Sequence, residues 1–177
     1  MTSIRHFTAS AIVLDDQDRV LLVHHNKIGR WLYPGGHIDP NEDPAQAAQR
    51  EVLEETGIHT EVISDELFAH PAVTTHAPPH MIIEMAVTDS KIGPHRHIDL
   101  VYVLRALSGD LTAQLDEVAG ARWVPIAELA ALNTPAELPT LVTRAALWAK
   151  AHQPNLPVAH PPQTPTWPTQ SDPPRPH

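Results

Sequence analysis

The chain has 177 residues, a formal net charge of -9 at pH 7 and a sequence pI near 5.7. This length is sufficient for one domain with a substantial core, and 42% of the residues are hydrophobic. An acidic chain lacks the basic surface with which general nucleic-acid binders offset phosphates, so we expect no polymeric nucleic acid among its partners. Cysteine is absent, which excludes disulfides, thiolate nucleophiles and cysteine-ligated zinc.

The first residues do not follow the basic-then-apolar pattern of a secretory signal, because Asp15 and Asp16 interrupt the apolar run. No stretch approaches the ~18 consecutive apolar residues of a membrane-spanning helix. The expectation is therefore a cytoplasmic protein without a membrane partner.

Hydrophobic periodicity and turn residues predict the elements in chain order. Two β-rich runs, residues 8–15 and 19–25, flank a short polar turn and predict a hairpin. Further strands are predicted over residues 61–68, 81–87, 97–106 and 121–124, and further helices over residues 126–132 and 135–151. Strands outnumber helices and do not alternate with them, which predicts an α+β sandwich with a mixed sheet and not a doubly wound parallel sheet.

One helix, residues 44–56, has clear boundaries in the sequence. Asp43 is a suitable N-cap, Pro44 suits the first turn, and Gly57 suits a left-handed residue just past the end. A stripe at i, i+3 and i+7 is predicted to face the core: Ala45, Ala48 and Val52.

The composition changes near residue 152. Residues 152–177 hold nine of the chain's 19 prolines and few apolar residues, which predicts a disordered tail that is partly polyproline II. The tail is either a docking segment for a proline-binding module or a solvated segment without a partner. The folded domain is predicted over residues 1–151.

Three carboxylates, Glu51, Glu54 and Glu55, lie close together on the predicted helix 44–56. They are either a solvated, mutually repelling face or a site for a hard divalent cation. None of them has a lysine at i+4, and the preceding "PGG" offers backbone that can approach a ligand closely. Both features favour the cation site.

The spacing of residues 36–58 resembles the complete Nudix box. The fixed positions are filled by Gly36, Glu42, Arg50, Glu51, Val52, Glu54, Glu55, Gly57 and Ile58. The resemblance covers about residues 5–150 and implies a Nudix-type α/β/α sandwich with a mixed β-sheet. It also implies hydrolysis of a nucleoside diphosphate linked to another moiety, by water attack on phosphorus. The alternative is a catalytically silent Nudix-like module that senses a nucleotide.

The resemblance also assigns roles. Glu54 and Glu55 would be the principal ligands of Mg²⁺, with Mn²⁺ as a possible substitute. Glu51 would be a third ligand or the group that orients and deprotonates the water. The Gly36 carbonyl would complete the coordination. The supporting residues of the box would be Gly36, Glu42, Arg50 and Gly57, with a salt bridge between Arg50 and Glu42 that ties the loop to the helix. The partner would be a small nucleotide or diphosphate substrate, and a homodimer is possible for such domains.

Further candidates lie outside the box. Glu117 resembles an acidic residue that many Nudix enzymes use as an extra ligand or base. Trp31 is a candidate for stacking on a base or for packing, and His37 is a candidate for contacting a substrate phosphate.

A short strand pattern, "HRHID", places His95, His97 and Asp99 on one face. Three interpretations stay open at this point: a second metal site of the zinc type, the lining of the substrate cleft, or no functional role.

Overall fold

The computed structural model describes residues 4–89, 92–116 and 118–152. Eight strands, two α-helices and one 3₁₀ helix lie in these ranges. The strands are β1 (Arg5–Leu14), β2 (Arg19–His25), β3 (Trp31–Leu32), β4 (Gly35–His37), β5 (His59–Val62), β6 (Met81–Asp89), β7 (Gly93–Ser108) and β8 (Val118–Pro125). The helices are α1 (Pro44–Thr56), the 3₁₀ helix Ile126–Ala131 and α2 (Leu138–Ala151).

Strand β1 is the centre of a mixed sheet. It pairs in parallel with β7 along its whole length. Its other edge is shared, because β4 pairs with its middle residues, Thr8 to Ser10, and β2 pairs with it at Leu14, near the turn of the predicted hairpin. The far edge of β7 is shared by β6 and β5, and β2 extends the sheet through β8 and β3.

The two faces of the sheet carry separate hydrophobic cores. Helix α1 covers one face, where Ala48 and Val52 pack with Ala9, Ala11 and Val13 of β1. Helix α2 covers the other face, where its buried residues pack with the alternate side chains of β1 and β7. Those side chains are Ile12, Leu14, Val101 and Val103. This arrangement confirms the α/β/α sandwich, with each strand presenting alternate residues to the two helical layers.

Helix α1 begins and ends as the sequence predicts. The Asp43 side chain accepts from the backbone N–H groups of Ala45 and Gln46, at 2.8 and 3.1 Å. The Gln46 side chain accepts in return from the Asp43 N–H, which completes a capping box. Gly57 ends the helix at a φ of 72°, which costs a glycine little.

Several boundaries differ from the sequence prediction. Strand β5 ends at Val62 and not at residue 68; Ile63 still donates a backbone hydrogen bond to the Val103 carbonyl at 2.9 Å, and His70 and Val73 form an isolated bridge. Strand β7 begins at Gly93, four residues earlier than predicted, because its hairpin with β6 pairs through to Asp89. The segment predicted as a helix over residues 126–132 is a 3₁₀ helix. Helix α2 begins at Leu138 and not at residue 135.

The predicted tail spans residues 152–177; His152 is the C-cap of α2, and residues 153–177 lie outside the described residues, so their disorder stays a prediction. None of the helices in the described ranges is long and apolar enough to cross a membrane.

Candidate active site

The first element of the site is the contact between β4 and α1. Gly36 pairs with Ala9 of β1, and its backbone lies directly against the carboxylate of Glu51. A Cβ at Gly36 would stand 2.3 Å from Glu51 Oε1, so a side chain at this position would displace the carboxylate from where it lies. The sequence prediction that Gly36 and Glu51 share one site therefore corresponds to a close contact between them.

The three glutamates of α1 differ in exposure. Glu51 and Glu55 are buried, and Glu55 Oε2 accepts from the Gly35 N–H at 3.2 Å. The Glu54 side chain is 55% exposed. Two of the carboxylates thus lie against the backbone of β4, and the third faces solvent.

Arg50 connects these carboxylates to the loop that precedes the helix. Its Nε and Nη2 donate to the two carboxylate oxygens of Glu42 at 3.0 and 3.1 Å. Its Nη1 donates to Glu51 and Glu54, both at 2.9 Å, and Nη2 also donates to the His37 carbonyl at 3.0 Å. The hydrogen bond from Arg50 lowers the pKa of Glu42, and the hydrogen bond to Glu42 raises the pKa of Arg50.

The glutamates have no lysine at i+4, as the sequence indicates, but a cation reaches them from the other direction. Arg50 precedes Glu54 by four residues and contacts two of the three carboxylates. The predicted salt bridge between Arg50 and Glu42 is present, and the same guanidinium offsets part of the negative charge.

The donor set fits a hard divalent cation. Buried carboxylates are normally paired or coordinate a metal, and carboxylate and carbonyl oxygens are the ligands that Mg²⁺ and Mn²⁺ prefer. The Glu51 carboxylate occupies the space where a Cβ at Gly36 would lie, and Glu55 accepts a hydrogen bond from the Gly35 N–H. Glu54 shares the Arg50 Nη1 donor with Glu51. The residues that would hold the ion are Glu51, Glu54, Glu55 and the Gly36 carbonyl.

A second polar cluster lies on the other side of β4. The rings of His95 and His97 are 4.9 Å apart between centroids, and His6 lies 5.0 Å from His95. His37 lies 5.3 Å from His97 and 5.6 Å from His6. Burial and the neighbouring imidazoles of His37, His95 and His6 lower the pKa of His97. We call these four residues, His6, His37, His95 and His97, the histidine cluster.

Sequence reasoning missed His6 as a member of this cluster. It is 89 residues from His95 in the chain, and it enters because β1 and β7 are parallel with His6 directly opposite His97. The alternation of β7 could be read from "HRHID", but the pairing partner of that strand could not.

Asp99 is on the same face of β7 and forms a different set of contacts. It is 2% exposed, and its Oδ1 accepts from the hydroxyls of Thr8 and Ser10, each at 2.9 Å. Tyr33 also hydrogen-bonds to it. Burial raises the pKa of Asp99. The pKa of Tyr33 is also raised, mainly by burial and secondly by the nearby charge of Asp99. These contacts favour a structural role, and a contact with substrate stays a prediction.

Trp31 is partly buried and has neighbours on both sides. The guanidinium of Arg122 lies 4.3 Å from its ring centroid, and His24 meets it edge-on at 5.1 Å. This geometry favours the packing role among the two predicted for Trp31. Glu117 lies outside the described residues, so its predicted role as ligand or base stays a prediction.

The comparisons with known proteins agree with this geometry. A sequence model of the NUDIX domain matches residues 4–144. The chain belongs to the Nudix family. A solved Nudix hydrolase from Clostridium perfringens superposes with a TM-score of 0.69 at 26% identity, covering 82% of this chain and 98% of that one. The Nudix fold predicted from the sequence is confirmed.

Two curated relatives align over most of the domain. A Mycobacterium tuberculosis (strain CDC 1551 / Oshkosh) protein provisionally named mutator protein MutT4 is 33% identical over 138 residues, or 73% of this chain and 50% of that protein. The CMP-5'-(N-acetyl-N-hydroxy-3-aminopropyl)phosphonate hydrolase of Streptomyces rubellomurinus (strain ATCC 31215) is 28% identical over 128 residues, or 70% of this chain and 53% of that protein. The chain spans about half the length of both relatives.

Proposed function

We propose that this Nudix protein is a divalent-metal-dependent pyrophosphohydrolase that cleaves a small nucleoside diphosphate linked to another moiety. The observation that supports the proposal is the packing of two buried carboxylates, Glu51 and Glu55, against the backbone of β4, with Glu54 joined to Glu51 through Arg50. A merely solvated face would not be expected to bury two carboxylates, Glu51 and Glu55, against backbone.

The reaction is displacement at phosphorus. A bond forms between water oxygen and phosphorus, the anhydride P–O bond breaks, and the proton of the water is transferred to a base. Bound Mg²⁺ or Mn²⁺ would shield the diphosphate charge, lower the pKa of bound water and stabilise the leaving phosphate. This role of the cation reconciles an acidic protein with an anionic substrate.

The residues of the chain hold the site in shape. Gly36 leaves space for the Glu51 carboxylate, and Arg50 fixes the orientation of Glu51 and Glu54 while its other edge anchors the loop through Glu42. Glu51 is either a ligand or the base that accepts the proton of the water, as predicted from the sequence. The base must reach the attacking water within hydrogen-bonding distance.

The test is phosphate or nucleotide release over a panel of nucleoside triphosphates and diphosphate-linked nucleotides, with and without Mg²⁺. Wild-type protein is compared with Glu54→Gln, and Glu66→Gln serves as the control because Glu66 is an exposed carboxylate outside the cluster. We expect Mg²⁺-dependent turnover of at least one compound, reduced by about 100-fold or more in Glu54→Gln and unchanged in Glu66→Gln.

The same panel decides between catalysis and nucleotide sensing. If a compound binds to the wild-type protein and no compound is hydrolysed in a Glu54-dependent way, the hydrolase proposal fails and the sensing module is the better description. If one compound is hydrolysed far faster than the others, that compound identifies the substrate class.

A further inference from the structure

The histidine cluster is assembled by strand pairing. His6 of β1 is opposite His97 of β7, and His37 of β4 is opposite Thr8 of β1. Alternate residues of one strand share a face, and so do paired residues of neighbouring strands. His6 with its partner His97, and Thr8 with its partner His37, therefore all project to the same side of the sheet. His95 joins them from two residues earlier on β7.

The orientation of His95 is that of a metal ligand. Its Nδ1 lies 2.9 Å from the Gly93 carbonyl oxygen, which can only accept, so Nδ1 carries the ring proton. In the neutral ring Nε2 is then the acceptor of the 3.0 Å hydrogen bond with His97 Nε2, and a cation bound between the two rings would replace the shared proton. A backbone carbonyl on the outer nitrogen is the usual second contact that fixes the tautomer of a metal-bound histidine.

The positions of the other nitrogens are also suitable. One ring nitrogen from each of His6, His95 and His97 lies within 4.8 Å of the others. Tetrahedral coordination with bonds of about 2.0–2.1 Å requires ligand nitrogens roughly 3.3 Å apart, so the rings would turn toward one another on binding the ion. His6 Nδ1 is buried and has no hydrogen-bond partner, and His95 is 3% exposed.

We propose that His6, His95 and His97 form a second divalent-cation site, of the nitrogen-ligand type that takes Zn²⁺ or Co²⁺, with His37 as the fourth ligand. Imidazole nitrogens suit Zn²⁺ and its neighbours among the transition metals, whereas Mg²⁺ prefers oxygen. His37 is exposed and in ring contact with both His6 and His97, so it is the candidate for the fourth ligand.

This site is separate from the carboxylate cluster, although β4 contributes to both. Gly36 is opposite Ala9, whose side chain packs in the α1 core, and it lies against Glu51. His37, the next residue, projects to the opposite face of the sheet. A cation held through His37 would tie β4 to β1 and β7, and would thereby restrain the backbone of Gly36.

The test is a Co²⁺ titration of the metal-free full chain, followed by visible absorption, because tetrahedral Co²⁺ gives intense d–d bands. We expect binding to wild-type protein that excess Mg²⁺ does not displace. His95→Ala and His97→Ala are each expected to weaken the affinity by more than about 100-fold, and His37→Ala by about 10-fold, because His37 is the exposed ligand.

Two controls keep the test decisive. His59→Ala removes an exposed histidine outside the cluster and should bind Co²⁺ as wild type does. Glu54→Gln alters the carboxylate cluster and should also leave the Co²⁺ bands unchanged. His6→Gln is the second ligand variant, and circular dichroism of each metal-free variant identifies any that fails to fold.

Two results would overturn the proposal. One is wild-type protein that gives no tetrahedral Co²⁺ spectrum. The other is Co²⁺ affinity that stays within about twofold of wild type in folded His6→Gln and His97→Ala, since removing a true ligand costs more than removing a second-shell contact.

Discussion

The two sides of β4 carry polar clusters that use carboxylates in opposite ways. On the α1 side, Glu51, Glu54 and Glu55 are held together by one guanidinium and a glycine backbone, with Glu54 exposed to solvent. On the other side, the Asp99 carboxylate is enclosed and receives hydroxyl hydrogen bonds. A single buried acid enclosed by hydroxyl donors stabilises the fold, whereas several neighbouring acids, one of them open to solvent, can together bind a cation.

The largest effect is expected from Gly36→Ala, which places a methyl group where the Glu51 carboxylate stands. Displacing that carboxylate by about 1 Å should reduce kcat by about 100-fold, because misplaced catalytic groups lose most of their effect. Steady-state hydrolysis of the identified substrate measures this. Gly120→Ala is the matched control, because a Cβ there meets nothing within 4 Å. Equal activity in the two variants would contradict the assigned contact.

Asp99→Ala tests whether the buried Asp99 carboxylate stabilises the fold. It leaves the hydroxyls of Thr8, Ser10 and Tyr33 without their acceptor in a buried place, which should lower the free energy of unfolding by about 2 kcal/mol. Asp99→Asn keeps an acceptor oxygen and should cost less. Urea unfolding of both variants and of Glu54→Gln gives the comparison, and we expect Glu54→Gln to unfold as wild type does. A larger stability loss in Glu54→Gln than in Asp99→Ala would reverse the two assigned roles.

Arg50→Lys should have a smaller effect on stability, of about 1 kcal/mol. Lysine keeps the positive charge but cannot form the bidentate hydrogen bonds to Glu42 and at the same time reach Glu51 and Glu54. Chemical denaturation measures the loss, with Arg144→Lys as the control because Arg144 is exposed and outside the site. Identical midpoints for both variants would show that the guanidinium geometry is unimportant.

The smallest effect is the pH dependence contributed by Glu42. Its pKa is lowered from an ordinary value of 4.5 by the hydrogen bond from Arg50, so the pair stabilises the fold above that value. This contribution is lost as the pH falls through the lowered pKa of the folded state. Unfolding of wild type and Glu42→Gln between pH 2 and 7 should give a stability difference that shrinks toward acid. A difference that grows toward acid would contradict the assigned shift.

Local patterns were sufficient to predict much of this molecule. The Nudix box, the limits of α1, and the salt bridge between Arg50 and Glu42 depend on residues close together in the chain, where spacing fixes geometry. The contact of Gly36 with Glu51 could be inferred because the box itself carries both residues.

Other features depend on pairing between distant strands, which a single sequence does not contain. His6 joins His97, and Thr8 and Ser10 reach Asp99, only because β1 and β7 are parallel and in one particular register. A shift by one residue would have turned all of these side chains to the other face. The strands β3 and β4 were missed because two or three residues are too few for a periodic signal.

The most direct test of the two-cluster account is Mn²⁺ binding followed by electron paramagnetic resonance in wild type, Glu54→Gln and His97→Ala. Mn²⁺ replaces Mg²⁺ at oxygen ligands, so it reports on the carboxylate cluster. We predict that the bound-Mn²⁺ fraction falls by about 10-fold or more in Glu54→Gln and is retained in His97→Ala. Retention of Mn²⁺ binding in Glu54→Gln together with its loss in His97→Ala would contradict the account.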